Sequence, residues 1–106
     1  LRSPRMATNV TISSVSCQIE LFGIARLTAG KKSLLVSLPI EATVRDAIVG
    51  LIERCPELSG KVSDANGTRL LPGYALNING VSFVDDLDIR LQAGDALIVL
   101  SADSGG

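Results

Sequence analysis

The stretch TVRDAIVGLIERC, residues 43–55, carries the strongest periodic signal in the sequence. Its apolar residues recur at the spacing of one helical face, and they are Val44, Ala47, Ile48, Leu51, Ile52 and Cys55. Thr43 can cap the first turn, Asp46 stands in the capping-box position, and Pro56 favours an end near Cys55. Because glycine inside a helix costs about 1 kcal/mol relative to alanine, we expect the helix backbone to approach a sheet closely at Gly50.

Two alternating runs precede this helix. CQIEL, residues 17–21, places apolar side chains at every second position, which is typical of a strand with one buried face. SLLVSLP, residues 33–39, alternates in the same way and is ended by Pro39. The polar residues of 28–32 predict a turn between them, so the two runs are predicted to form a hairpin.

The sequence after the helix predicts a loop and three strands. Residues 57–73 are rich in turn-forming pairs and predict a loop with short elements. Residues 74–78 and 81–84 predict a hairpin around a two-residue type I′ turn at Asn79-Gly80. ALIVL, residues 96–100, is a continuous apolar run, which is typical of a central strand covered on both faces.

The predicted order is strand, strand, helix, strand, short strand, strand. A first hairpin, a crossover helix and a buried last strand fit together most simply in one arrangement. The last strand then lies beside the first and parallel to it, and the helix crosses one face of the sheet. This is the β-grasp (ubiquitin-like) arrangement, an α+β fold with a mixed sheet of four to five strands and one main helix. Periodicity alone also allows other α+β sheets with one packed helix.

The length of 106 residues and a hydrophobic content of 46% favour one compact domain. We interpret residues 1–16 as a vector-derived remnant up to Arg5 followed by an N-terminal extension from Met6. Residues 17–101 are predicted to form the β-grasp domain. Residues 102–106 are predicted to be a flexible tail that ends in Gly105-Gly106.

Composition argues against several classes of function. A net charge of −1 without a basic cluster is a poor match to nucleic acid. The apolar runs are far shorter than the roughly 20 residues that cross a bilayer, and the absence of a secretory signal leads us to expect a cytoplasmic protein. With two cysteines and no histidine, most zinc and Cys-His catalytic templates are excluded, and Cys17 and Cys55 are predicted to be buried apolar residues.

Several short blocks, taken in order, resemble the sulfur-carrier family, which includes the small subunit of molybdopterin synthase and the sulfur carrier of the thiamine pathway. The resemblance spans about residues 17–106. The blocks are Ile19 to Arg26, Leu38-Pro39, Ala42 to Asp46, Pro56-Glu57-Leu58, Ile78-Asn79-Gly80, Gly94-Asp95 and the terminal Gly105-Gly106.

This resemblance implies chemistry on the C-terminal carboxylate. Gly106 would be adenylated by an ATP-using enzyme of the ubiquitin-activating type and converted to a thiocarboxylate, with Gly105 as the second glycine of the tail. The chain would bind no cofactor itself. It would be a carrier, or the small subunit of a synthase complex, rather than an enzyme, and would deliver sulfur in cofactor biosynthesis of the molybdopterin type. Residues 101–104 lack the prolines common before the glycines in that branch, and the loop 59–72 is long, so the pathway stays open.

Partner-binding residues are expected near the tail and on the exposed face of the sheet. Phe22, Leu35 and Phe83 lie outside the main core pattern or near strand ends, and with Ser104 they form our candidate patch. Alternatively, Phe22, Leu35 and Phe83 form a minor hydrophobic core. The acidic run at Asp85, Asp86 and Asp88 is interpreted as a solvated turn rather than a metal site.

Two other functions remain compatible with the sequence. A ubiquitin-like modifier, conjugated to lysines through Gly106, would use the same tail. A β-grasp interaction domain would have no tail chemistry at all.

Overall fold

The computed structural model describes residues 14–101, and Ser104, Gly105 and Gly106 lie outside that range. Five strands form one mixed sheet in the order β2-β1-β5-β3-β4. The strands are β1 (Ser14–Leu21), β2 (Ser33–Pro39), β3 (Tyr74–Ile78), β4 (Ser82–Phe83) and β5 (Ala96–Ser101). The helices are α1 (Ile24–Ala29), α2 (Val44–Arg54) and a 3-10 turn at Pro56–Leu58.

The last strand lies at the centre of the sheet, as the sequence predicts. β5 pairs in parallel with β1, with Ile19 opposite Leu97, and antiparallel with β3, with Leu76 opposite Val99. β1 also pairs antiparallel with β2. This order, with α2 across one face, confirms the β-grasp fold.

Helix α2 begins at the predicted cap. The Thr43 hydroxyl accepts from the Asp46 amide at 3.2 Å, and the Asp46 carboxylate accepts from the Thr43 amide at 2.9 Å, so both halves of the capping box are formed. Gly50 faces β2 so closely that a β-carbon there would lie 2.5 Å from Val36 Cγ1. The expected close approach of the helix to the sheet at Gly50 is therefore confirmed.

The core is aliphatic and continuous between the sheet and α2. Ile19, Leu97 and Val99 from the two central strands meet Ile48 and Leu51 from the helix, and each is at most 2% exposed. Both cysteines lie in this cluster as free thiols. Burial raises the pKa of Cys17 and of Cys55, so both thiols are protonated at neutral pH and behave as small apolar side chains.

The predicted turn at 28–32 is present only in part, because a short helix that was not predicted precedes it and includes residues 28 and 29. α1 begins after Gly23, whose φ is 61°, and ends at Gly30, whose φ is 75°. Ala25 and Ala29 face the core, and the Arg26 guanidinium donates to the Leu21 carbonyl at 2.8 Å. β1 and β2 still pair antiparallel as predicted, but through a helical connection.

The second hairpin also differs from its prediction. Asn79 and Gly80 both have positive φ, 58° and 73°, as a type I′ turn requires. The pairing resumes at Ser82 opposite Ile78, so three residues separate the paired positions, and β4 is shorter than the predicted 81–84. The Asn79 side chain accepts from the Ala96 amide at 2.8 Å and donates to Asp95 at 2.9 Å, which fastens this turn to the start of β5.

The longer of the two edge strands of the sheet is β2. The Leu21 amide donates to the Lys32 carbonyl, so these two residues form a hydrogen-bonded pair. Such pairs alternate with non-hydrogen-bonded pairs along an antiparallel ladder. The backbone groups of Ser33, Leu35 and Ser37 therefore point away from β1. The guanidinium of Arg54 reaches over from the end of α2 and donates to the Leu35 carbonyl at 2.7 Å. One outward acceptor in the middle of this edge is thus occupied from within the chain.

The long loop after α2 is organised around Asp64. Its carboxylate accepts from the Thr68 amide at 2.8 Å and from the Thr68 hydroxyl at 3.0 Å, and its side chain is 21% exposed. These hydrogen bonds, the Thr68 amide first, lower the pKa of Asp64. The charged form of Asp64 therefore stabilises the loop.

We expect Asp64→Asn to lower the free energy of unfolding at neutral pH, because the amide loses both the charge and one acceptor oxygen. Since the folded pKa lies below the unfolded value of about 3.9, the wild-type advantage should be complete above that value. It should disappear as pH falls through the folded pKa. Urea denaturation of both proteins between pH 7 and pH 2.5 measures this difference in the free energy of unfolding. A difference that is as large at pH 2.5 as at pH 7 contradicts the prediction.

Candidate functional site

The three predicted tail residues, Ser104, Gly105 and Gly106, lie outside the described residues, but the strand that carries the tail is firmly placed. Ser101, the last described residue, pairs with Tyr74 at the end of β5. Leu97 and Val99 just before it are 1% and 0% exposed. The tail therefore starts from the central strand of the sheet, held between β1 and β3.

The face of the sheet opposite α2 carries no covering element among residues 14–101 and forms an open surface. Side chains alternate along each strand, so the cross-strand pairs place Glu20, Ile98, Asn77 and Phe83 in one row across four strands. One step closer to the start of the tail, Leu100 pairs with Ala75. We call these residues, together with Phe22, the open-face patch.

The open face also corrects one prediction about β5. The apolar run 96–100 predicted a strand covered on both faces, but only alternate residues are fully buried. Ile98 and Leu100 are half-buried on the open side. The continuous apolar run therefore indicates a surface for contact rather than a second packed layer.

Phe22 lies at the tail end of the open face. Its amide donates to the Val99 carbonyl at 3.0 Å, which extends the parallel pairing by one residue and sets Phe22 beside Leu100. The ring is 38% exposed, and the Arg26 guanidinium lies 4.8 Å from its centroid, within cation–π range. The ring is thus held in place while it remains accessible.

The predicted partner residues share the open face but do not form one cluster. Phe83 is 65% exposed and sits opposite Asn77 on β4. Leu35 is 59% exposed on the edge strand β2 opposite Gln18, so polar residues separate it from both phenylalanines. The structure therefore brings Phe22 and Phe83 to the two sides of one patch and leaves Leu35 apart from it.

Sequence reasoning missed Asn77. It is 9% exposed, and its Oδ1 has no hydrogen-bond partner within the described range 14–101. Its place in the strand pattern, between the apolar Leu76 and Ile78, indicated only an outward-facing polar residue. Its burial depends on cross-strand neighbours that the sequence pattern does not reveal.

The acidic turn contains ordinary surface interactions. Asp86 accepts from the Asp88 amide at 2.9 Å, and Asp88 forms an ion pair with Arg45 at 3.2 Å. Within residues 14–101, no three Cys, Asp or Glu side chains are grouped so that they could hold a metal ion. In the same range, no helix is long and apolar enough to span a membrane.

Comparison with known proteins shows clear structural relatives. Small archaeal modifier protein 1 of Haloferax volcanii is 30% identical with a TM-score of 0.74, and the match covers 86% of this chain and 99% of that one. A putative molybdopterin converting factor subunit 1 of Pyrococcus furiosus is 26% identical with a TM-score of 0.66, covering 83% and 98%. Urm1 of Trypanosoma brucei, at 20% identity and a TM-score of 0.54 over 91% and 100%, shares the fold.

No family profile and no curated protein matches the sequence. A β-grasp sheet whose central last strand leads into the C-terminal segment defines a ubiquitin-like protein. The chain belongs to the ubiquitin-like family of small archaeal modifiers and molybdopterin-type sulfur carriers. This membership supports a role as a sulfur carrier or modifier.

Proposed function

We propose that this protein is a cytoplasmic sulfur carrier whose C-terminal glycine, Gly106, is adenylated and then converted to a thiocarboxylate. The observation that carries the proposal is the position of β5, which anchors the start of the tail at the centre of the sheet beside an open, partly apolar face. The relationship to a molybdopterin converting factor subunit supports it.

The chemistry requires two steps that partner enzymes would catalyse. A carboxylate is a poor electrophile, so its oxygen first attacks the α-phosphorus of ATP and displaces pyrophosphate, which gives an acyl-adenylate. Hydrosulfide from a sulfur donor then attacks the carbonyl carbon. The C–S bond forms, the bond to the AMP oxygen breaks, and the product is a thiocarboxylate.

The chain itself contributes the body and the tail. From Ser101, five residues reach at most about 17 Å, so an enzyme that holds Gly106 must lie against the end of the domain where Phe22, Leu100 and Ala75 meet. A thin glycine end can enter a narrow active site, because it has no β-carbon to clash there. The open-face patch is therefore the docking surface that we assign to the adenylating enzyme, and the sulfur-accepting synthase subunit would use the same tail.

The direct test is mass spectrometry of the intact protein after incubation with its adenylating enzyme, ATP and a sulfide donor. Replacement of one oxygen by sulfur should raise the mass by about 16 Da. The same reaction without ATP is the control and should leave the mass unchanged. A complete reaction mixture that yields neither an adenylate nor the thiocarboxylate contradicts the proposal.

A second function is favoured by the 30% identity to a small archaeal modifier. In that case the adenylated Gly106 would be transferred to lysine amines and form isopeptide bonds. Conjugates that survive boiling with a reducing agent would support this function, whereas adducts that reductant removes would not.

A further inference from the structure

Asn77 occupies an unusual position for a polar residue. It lies in the middle of β3 on the open face, directly between Ile98 of β5 and Phe83 of β4. These neighbours cover it until only 9% is exposed. Its Oδ1 accepts no hydrogen bond from the part of the chain between Ser14 and Ser101.

A buried acceptor without a donor destabilises the protein that contains it, because the amide loses its hydration and gains nothing in return. The neighbours on the open face cannot supply a donor. Ile98, Phe83 and Ala75 have apolar side chains, and the next residue in the row, the carboxylate of Glu20, is itself an acceptor. Among residues 14–101, this part of the open face therefore supplies no donor to Oδ1.

Asn77 lies close to the start of the tail. β3 runs antiparallel to β5, with Tyr74 opposite Ser101, so Asn77 lies three residues, roughly 10 Å, along the sheet from the start of the tail. This is shorter than the roughly 17 Å that the five tail residues can span. A protein that holds Gly106 in its active site is therefore close enough to the domain to contact the face that contains Asn77.

We propose that Asn77 is a specificity-determining residue for the adenylating enzyme, which inserts a hydrogen-bond donor between Ile98 and Phe83 to satisfy Oδ1. The inference rests on the proposed function and names one contact within it. Phe22, Leu100 and Phe83 supply most of the apolar area that the enzyme contacts. Asn77 makes binding depend on a hydrogen-bond donor at the right position on the enzyme. A partner with a purely apolar surface would bury the amide completely and leave it unsatisfied.

The decisive variant is Asn77→Leu, which replaces the amide with an apolar side chain of similar size. Removal of an unsatisfied buried group should raise the midpoint of urea unfolding. The same change leaves the enzyme's donor without an acceptor. We therefore expect KM of the adenylating enzyme for the carrier to rise about tenfold or more, with kcat changed less than twofold.

The matched control is Gln18→Leu, which makes the same kind of change at an exposed position of the open face, opposite Leu35 and away from the tail. Its KM should stay within twofold of wild type. Pyrophosphate release at varied carrier concentration measures both parameters for all three proteins.

Two results would overturn the inference while the proposed function stands. One is an Asn77→Leu protein that unfolds at lower urea or fails to fold, because the amide would then be a structural partner of the fold. The other is a KM equal to that of wild type. If wild-type protein is not adenylated at all, the proposed function fails, and the contact assigned to the enzyme fails with it.

Discussion

A variant that ends at Ser104 is expected to lose all thiocarboxylate formation and to unfold at the same denaturant concentration as wild type. Removal of Gly105 and Gly106 shortens the tail by about 7 Å and ends it in a residue with a side chain. The carboxylate then no longer reaches the α-phosphate of ATP in the partner enzyme. The core that holds the domain together lies between Cys17 and Val99, so stability should not change.

Intact mass spectrometry after the complete activation reaction measures the modification, and urea denaturation measures stability. Ala102→Gly is the control, since it alters the same segment but keeps the tail length and the final glycines. It should be modified at the wild-type rate. A truncated protein that still gains sulfur would show that the attachment site is not Gly106.

Gly50→Ala is expected to destabilise the fold by about 1 to 3 kcal/mol, the usual range for overpacking a core. Intrinsic helix propensity alone predicts the opposite, a gain of about 1 kcal/mol. The new methyl group would lie 2.5 Å from Val36 Cγ1, which belongs to a buried, β-branched side chain on β2 with little freedom to move. The helix and the sheet must therefore separate locally.

A second substitution tests that explanation. In the Gly50→Ala/Val36→Ala protein the clashing methyl is gone, so the double variant should be more stable than the sum of the two single effects implies. Glu53→Ala, at an exposed position of the same helix, should change stability by less than about 0.5 kcal/mol. Strictly additive effects of Gly50→Ala and Val36→Ala would contradict a direct contact between the two positions.

The sequence predicts an element correctly where the large apolar residues that recur at its characteristic spacing are also the residues that are buried. α2 has its large apolar residues on one face and a capping box at its start, so its position and its contact with the sheet were predictable. In α1 the pattern is reversed. Ala25 and Ala29 are buried, whereas Ile24 is 54% and Leu27 81% exposed, so the large apolar side chains give no sign of the buried face.

The candidate site was only partly predictable, for a similar reason. The glycine tail and the phenylalanines are recognisable from residue type and position. Asn77 is not, because its burial comes from Ile98 and Phe83, which follow it by 21 and 6 residues in the sequence and meet it only through strand pairing. The same limit applies to β4, whose two paired residues are too few to give a period.

The hydrogen bond from Arg54 to the Leu35 carbonyl has a consequence for behaviour at high protein concentration. An uncharged edge strand such as 33–38 is a template on which further chains can add and aggregate. With the guanidinium bound at its midpoint, a second β2 strand cannot form a continuous ladder there, and the two Arg54 charges would repel each other. The chain can therefore keep one sheet face open to partner proteins without growing into fibres along β2.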